Sequence, residues 1–148
     1  MTIPIDRDEL RVGAMRDGPS EAGRFVDNGD GTVTDMTTGL VWMKDLTGLN
    51  RETWKEAQET CAVLGVAGGG WRLPTVKELL SLIDYDNLNP ALPKGHPFSG
   101  VQLGSYWSST TGANGPLYAW YVDLYYGYVG NDYKSYTLYV WPVRGGVK

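Results

Sequence analysis

The sequence predicts an α+β fold in one domain, and three observations carry that prediction. Short apolar stretches bounded by Gly, Asn and Asp read as strands, two Thr-x-x-Glu boxes each open a helical run, and Pro and Gly divide the rest into turns and one long loop. At 148 residues the chain can bury one substantial core and is too short for two ordinary ones.

Residues 1–23 show neither clean periodicity nor a strong apolar face, so a loosely ordered or partner-dependent arm is expected there, with the domain proper at residues 24–148. Arg24 to Asp27 and Thr32 to Asp35 flank the turn residues Asn28-Gly29-Asp30-Gly31, and Thr38-Gly39 leads into the apolar strand Leu40 to Met43. These three form an N-terminal β-meander. Thr53-Trp54-Lys55-Glu56 is a capping box, after which Trp54, Ala57, Cys61 and Leu64 share one helical face until Gly65. A second box, Thr75-Val76-Lys77-Glu78, opens a helix carrying Leu79, Leu80, Leu82 and Ile83 and ending by Asp84 or Tyr85. Pro and Gly forbid regular structure over most of residues 86–105, which predicts a long ordered loop anchored by Phe98. Tyr106 to Thr110 reads as a strand and residues 112–116 as a turn. Tyr118, Trp120, Val122 and Leu124 then alternate with Ala119, Tyr121, Asp123 and Tyr125, which predicts a half-buried strand whose first set faces the core. Gly127 turns the chain into a strand near Tyr128 to Asp132, and Tyr139 to Arg144 supplies the closing strand.

Composition narrows the function. Thirteen Lys and Arg stand against 17 Asp and Glu, so the basic excess that phosphate-backbone binding needs is missing and nucleic acid is not an expected partner. The acidic N-terminus lacks the apolar core of a signal peptide, and no later run is long and apolar enough to insert in a bilayer. With Cys61 as the one cysteine, neither an internal disulfide nor a multi-cysteine zinc site can form. The sole histidine, His96, stands in a Pro- and Gly-rich loop and reads as a solvated side chain. No Ser/His/Asp order, metal-ligand cluster or phosphate-cradling loop is visible, so no enzyme, no catalytic residue and no cofactor are expected. Asp27, Asn28 and Asp30 read as a hairpin turn, because their spacing does not fit a calcium loop. Calcium, if bound at all, would sit at Asp84, Asp86 and the stretch from Asn87 to Asn89. Trp42, Trp71, Trp107 and Trp141 read as core, and Arg72 and Arg144 as side chains that satisfy buried carbonyls or a carboxylate.

Eight of the ten tyrosines fall between Leu117 and Tyr139. Tyrosine presents a large contact area and a hydroxyl while freezing few torsions, and the Ser, Gly and Asn between the rings add adaptable polar contacts. That mixture marks a ligand-contacting surface. Its expected residues are Tyr121, Asp123, Tyr125, Tyr126, Tyr128, Gly130, Asn131, Asp132, Tyr133, Ser135, Tyr136, Thr137 and Leu138, while Tyr118, Trp120, Val122, Leu124, Tyr139 and Trp141 are read as the scaffold beneath them. An aromatic face of this kind serves either a ligand or a second protomer.

The ordered set Asp27 to Asp35, Thr38 to Trp42, Trp71 to Thr75 with Glu78-Leu79, Tyr106 to Thr110, Ala119 to Val122 and Val143 to Gly146 resembles the DUF1566 family, also called the Lcl C-terminal domain, over roughly Arg24 to Gly146. The resemblance implies a C-type-lectin-like fold, with two helices packed on short antiparallel sheets and long ordered loops. It also implies an adhesin-type role at a cell surface, in a secreted protein or on a virion, with a glycan or surface protein as ligand and a homo-oligomer as the assembly; the adhesin that names the family binds sulfated glycans as a trimer. Many relatives carry a second cysteine shortly before the closing Val-Arg-Gly. Here Trp141-Pro142 stands in that stretch, so Cys61 should be a free buried thiol. A polyanion site wants Lys and Arg, whereas the tyrosine-rich segment supplies Lys134 against Asp123 and Asp132. The segment also resembles the variable region of proteins diversified by diversity-generating retroelements. Tyr125, Tyr126, Tyr128, Gly130 to Tyr133 and Ser135 to Leu138 are all reachable from an AAC codon by changes at its adenines, and residues that are not reachable are absent from those positions.

Overall fold

The computed structural model describes residues 21–145. The arm expected over residues 1–23 lies outside them except for its last residues, which enter a one-turn helix, α1 (Glu21–Arg24). The meander follows as β1 (Phe25–Asp27), β2 (Thr32–Asp35) and β3 (Leu40–Met43). Its first turn is closed by the chain's own carboxylates: Asp27 accepts the Gly29 N–H at 2.9 Å and Asp30 the Thr32 N–H at 3.1 Å. Arg24 ends α1 instead of opening β1, and its guanidinium grips Asp35 through two bonds of 3.0 and 2.8 Å.

Both expected capping boxes are made. Thr53 starts α2 (Trp54–Val63) and exchanges hydrogen bonds with Glu56, and Thr75 starts α3 (Val76–Leu82) and does the same with Glu78. The second helix stops at Leu82, earlier than the apolar run implies. Ile83 is extended but still packs on the core, and Asp84 turns its carboxylate onto the Asp86 N–H and the Asn87 amide. The following loop is anchored by Phe98, whose buried ring meets Phe25 at 5.2 Å and Trp141 at 4.9 Å edge-on. β4 (Ser105–Thr111), β5 (Tyr118–Asp123), β6 (Val129–Tyr133) and β7 (Val143–Gly145) complete the chain.

The strands form two antiparallel sheets, ordered β1-β2-β3-β7 and β4-β5-β6. The arrangement is α+β, as the sequence predicts. Tyr106 pairs with Val122, and both join the larger core with Leu79 and Leu82 of α3. Their neighbours Trp107 and Ala119 join a second core with Ala57 and Cys61 of α2. The second sheet is therefore covered on both faces over β4 and β5, and this corrects the expected half-buried pattern of β5. Ala119 and Asp123, placed on the exposed side by alternation, are buried, whereas Tyr118 and Trp120 are only half-buried. Along β5, burial therefore does not follow the alternation of faces.

Candidate functional site

The tyrosine-rich segment is carried by β5, the turn to β6, β6 itself and the strap that follows. Asp123 builds the turn: its N–H donates to the Tyr128 carbonyl, its carbonyl accepts from Gly127, and its carboxylate accepts the Tyr126 N–H, each at 2.8 Å. Asp123, expected among the contact residues, is thus a buried turn residue whose carboxylate is engaged by the backbone. At Gly127 the backbone has φ +87°, and a Cβ would come within 2.7 Å of the Ile83 side chain. Around this turn Tyr125 and Tyr126 lie 4.4 Å apart, and Tyr128 lies 6.4 Å from both Tyr126 and Tyr121. The long loop braces them from behind, with Asn89 and Ala91 N–H groups donating to the Tyr125 and Leu124 carbonyls at 3.0 and 2.8 Å. That loop adds two exposed side chains that the sequence reading misses, Tyr85 and Leu88. Tyr85 lies outside the tyrosine cluster in sequence, and its only signal was its place at the start of a long loop.

A second ring group stands at the other end of β5. Tyr118 and Tyr133 are paired across the strands with centroids 4.6 Å apart, and Tyr136 follows at 5.5 Å from Tyr133. The hydrogen bond to Tyr133, with burial and neighbouring phenols behind it, raises the Tyr118 hydroxyl pKa. Tyr118, itself half-buried, therefore shares a ring group with the exposed Tyr133 and Tyr136, although it was expected in the scaffold. Beside this group an open cleft of about 450 Å³ is lined by Thr53, Trp54, Lys55, Leu117, Tyr133, Lys134 and Ser135. Trp54 is fixed there because its indole N–H donates to the Ser108 carbonyl at 2.8 Å and its backbone N–H to the Lys134 carbonyl at 3.0 Å. The Lys134 ammonium sits 3.9 Å over the indole and donates to Thr111 Oγ1 at 3.1 Å.

The remaining expected contacts differ among themselves. Tyr121 is half-buried, its hydroxyl pKa raised by burial first and then by Tyr128, Asp132 and Asp123. Its ring covers Gly130, where a Cβ would stand 2.5 Å from the hydroxyl. Asn131 accepts from the Asn114 amide at 3.2 Å, and Asp132 caps the Tyr133 N–H at 2.9 Å. Ser135, Tyr136 and Thr137 are exposed on the strap. Leu138 is half-buried against the second core and shares two backbone bonds with Glu52.

The expected surface is therefore two ring groups at opposite ends of β5, separated by ordinary sheet. Strand register places Tyr118, Asn131 and Tyr133 on one face and Tyr121 and Gly130 on the other.

Elsewhere the polar residues serve the fold. Arg72 holds Glu78 at 2.7 and 2.9 Å and the Gly145 carbonyl at 3.0 Å, and Arg144 donates to the Ala67 and Gly69 carbonyls. Trp42, Trp71, Trp107 and Trp141 are buried. Cys61 is a free buried thiol whose pKa is pushed to about 12 by burial and then by Glu52. Burial lowers the His96 pKa, and its Nδ1 accepts the Phe98 N–H at 3.2 Å. Among the described residues no group of three or more His, Cys, Asp or Glu is gathered to hold a metal, and Asp84 spends its carboxylate within its own loop. Nor is any described helix long and apolar enough to cross a membrane. A family model described as the Lcl C-terminal domain matches residues 31–144, and no curated protein matches the chain.

Proposed function

The chain belongs to the Lcl C-terminal domain family, and from that membership we propose that it is a ligand-binding display domain, of adhesin or receptor-binding type and not an enzyme, with a C-type-lectin-like fold. Its ligand, a glycan or a surface protein, is held by the tyrosine rings of the β5–β6 turn, β6 and the strap. The observation that carries this reading is the exposure of Tyr126, Tyr128, Tyr133 and Tyr136, at 56, 51, 42 and 53%. Rings left this open contribute little to the core, and a folded domain keeps such a cluster in water when the cluster has a partner.

The same segment is proposed to be a diversified one. Tyr125, Tyr126, Tyr128, Gly130 to Tyr133 and Ser135 to Leu138 include no fully buried residue, while the interspersed Gly127 is buried. A reverse transcriptase gene beside a near-copy of the codons for residues 117–146 is the expected genomic context.

Binding is tested on a glycan and surface-protein array. The variant with Tyr126, Tyr128, Tyr133 and Tyr136 all changed to Ala is expected to stay folded and lose the signal. Full binding by that folded variant would remove the proposal. The position of these rings on and beside an edge strand favours a second reading, in which they form a protomer interface; light scattering that finds a monomer rejects it.

A further inference from the structure

We infer that the cleft between the start of α2 and the end of β6 is a subsite for an acidic side chain of a protein ligand. The inference rests on the display-domain reading and names the chemistry that one of its two ring groups selects.

The cleft joins segments far apart in sequence, so its charge is invisible in the tyrosine-rich stretch alone. Lys134 is there opposed by Asp123 and Asp132, but in the fold Asp123 is buried in its turn and Asp132 caps the Tyr133 N–H. What α2 adds is Lys55. Among the described residues neither Lys55 nor Lys134 is in a salt bridge. The nearby carboxylate of Glu56 is held by the Thr53 N–H, and that of Glu52 by Thr60. Two lysines that, among the described residues, are in no salt bridge thus line one opening on a chain of formal net charge −4.

Lys134 is also held in place. The contact over Trp54 and the bond to Thr111 fix its ammonium before any ligand arrives, which lowers the ordering cost of an ion pair. The same contact argues against a sugar ring stacking on Trp54, because stacking needs a bare aromatic face and the ammonium occupies one. Tyr133 is flanked in turn by Tyr118 and Tyr136. A carboxylate needs the ammonium itself and only an apolar wall for its stem, which Leu117 and the indole edge provide. The open volume admits a side chain approached from the surface, with Tyr133 and Tyr136 alongside for its neighbours.

The test is selection of a random peptide library on the full chain, on Lys55→Gln/Lys134→Gln and on Lys134→Arg, each checked for native melting. Selected peptides are expected to be enriched in Asp and Glu on the wild type and on Lys134→Arg. The enrichment should vanish on the double Gln variant, which should bind a wild-type-selected peptide about tenfold or more weakly. Acidic enrichment that survives the double substitution, or selected peptides without it, overturns the inference and leaves the display-domain reading standing. If no peptide is selected, the inference and the protein-ligand branch of that reading fall together. A heparin oligosaccharide that shifts the Trp54 indole N–H resonance, while the selected peptide leaves it unmoved, also overturns it.

Discussion

Glu78 has two tasks at once. Its carboxylate closes the capping box of α3 through the Thr75 N–H at 2.8 Å and receives the Arg72 guanidinium. Burial alone would raise its pKa, but the Arg72 hydrogen bond, the Thr75 N–H and the Arg72 charge together hold it below the ordinary glutamate value of 4.5. A depressed carboxyl stabilises the fold fully above its unfolded value, and that stability is lost as pH falls through the folded one. Glu78→Gln keeps an acceptor for the cap and removes the charge. Because Arg72 is partly exposed, the expected loss at neutral pH is only about 1 kcal/mol. Unfolding free energies from urea titration of wild type and variant should differ by that amount at neutral pH and converge as the pH falls from 4.5 through the lowered folded pKa; a gap that persists in acid would show the charge to be idle. The box was legible in the sequence because its partners are three residues apart. That Arg72 would meet a carboxylate was also readable in kind, whereas its hold on the Gly145 carbonyl depends on how β7 returns and was not.

At the scale of elements, the long loop depends on close approach more than on regular bonding. Gly95 and Gly100 both have positive φ, at +79° and +72°, but a Cβ at Gly95 meets nothing within 4 Å whereas one at Gly100 would stand 2.5 Å from the Thr47 backbone nitrogen. Gly95→Ala is expected to cost about 1 kcal/mol from the backbone alone. Gly100→Ala must also push two backbone segments apart and should cost about 3 kcal/mol or more. Equal shifts of the melting midpoint for the two variants would contradict this. The loop and its Phe98 anchor could be read from Pro, Gly and one isolated aromatic. The burial of β5 could not, because alternation reports only the two faces of a strand and cannot tell that helices lie against both. The same limit put Tyr118 with the scaffold although it pairs with the exposed Tyr133.

Over the whole molecule, the fold separates rings that build it from rings it merely carries. Trp107 is wholly buried with its indole N–H on the Glu52 carbonyl, and Trp107→Ala should cost about 3–5 kcal/mol. Alanine at Tyr126, Tyr128 or Tyr136 should move stability by no more than about 0.5 kcal/mol each. Denaturant titration of the two kinds of variant checks the division, and a large loss from the exposed set would erase it. Such a cargo of exposed rings on an edge strand would ordinarily invite copies of the chain to zip together into aggregates. The bonds from Asp123 to Tyr128 and from Lys134 to Leu117 fix which β6 residues turn their backbone outward, namely Val129, Asn131 and Tyr133. At Tyr133 both outward groups are already taken, the N–H by the Asp132 carboxylate and the carbonyl by the Tyr136 N–H. Among the described residues, β6 keeps only Val129 and Asn131 as open edge, too few to seed a fibril from that strand, so side chains can be exchanged on this surface without turning β6 into a template for its own misassembly.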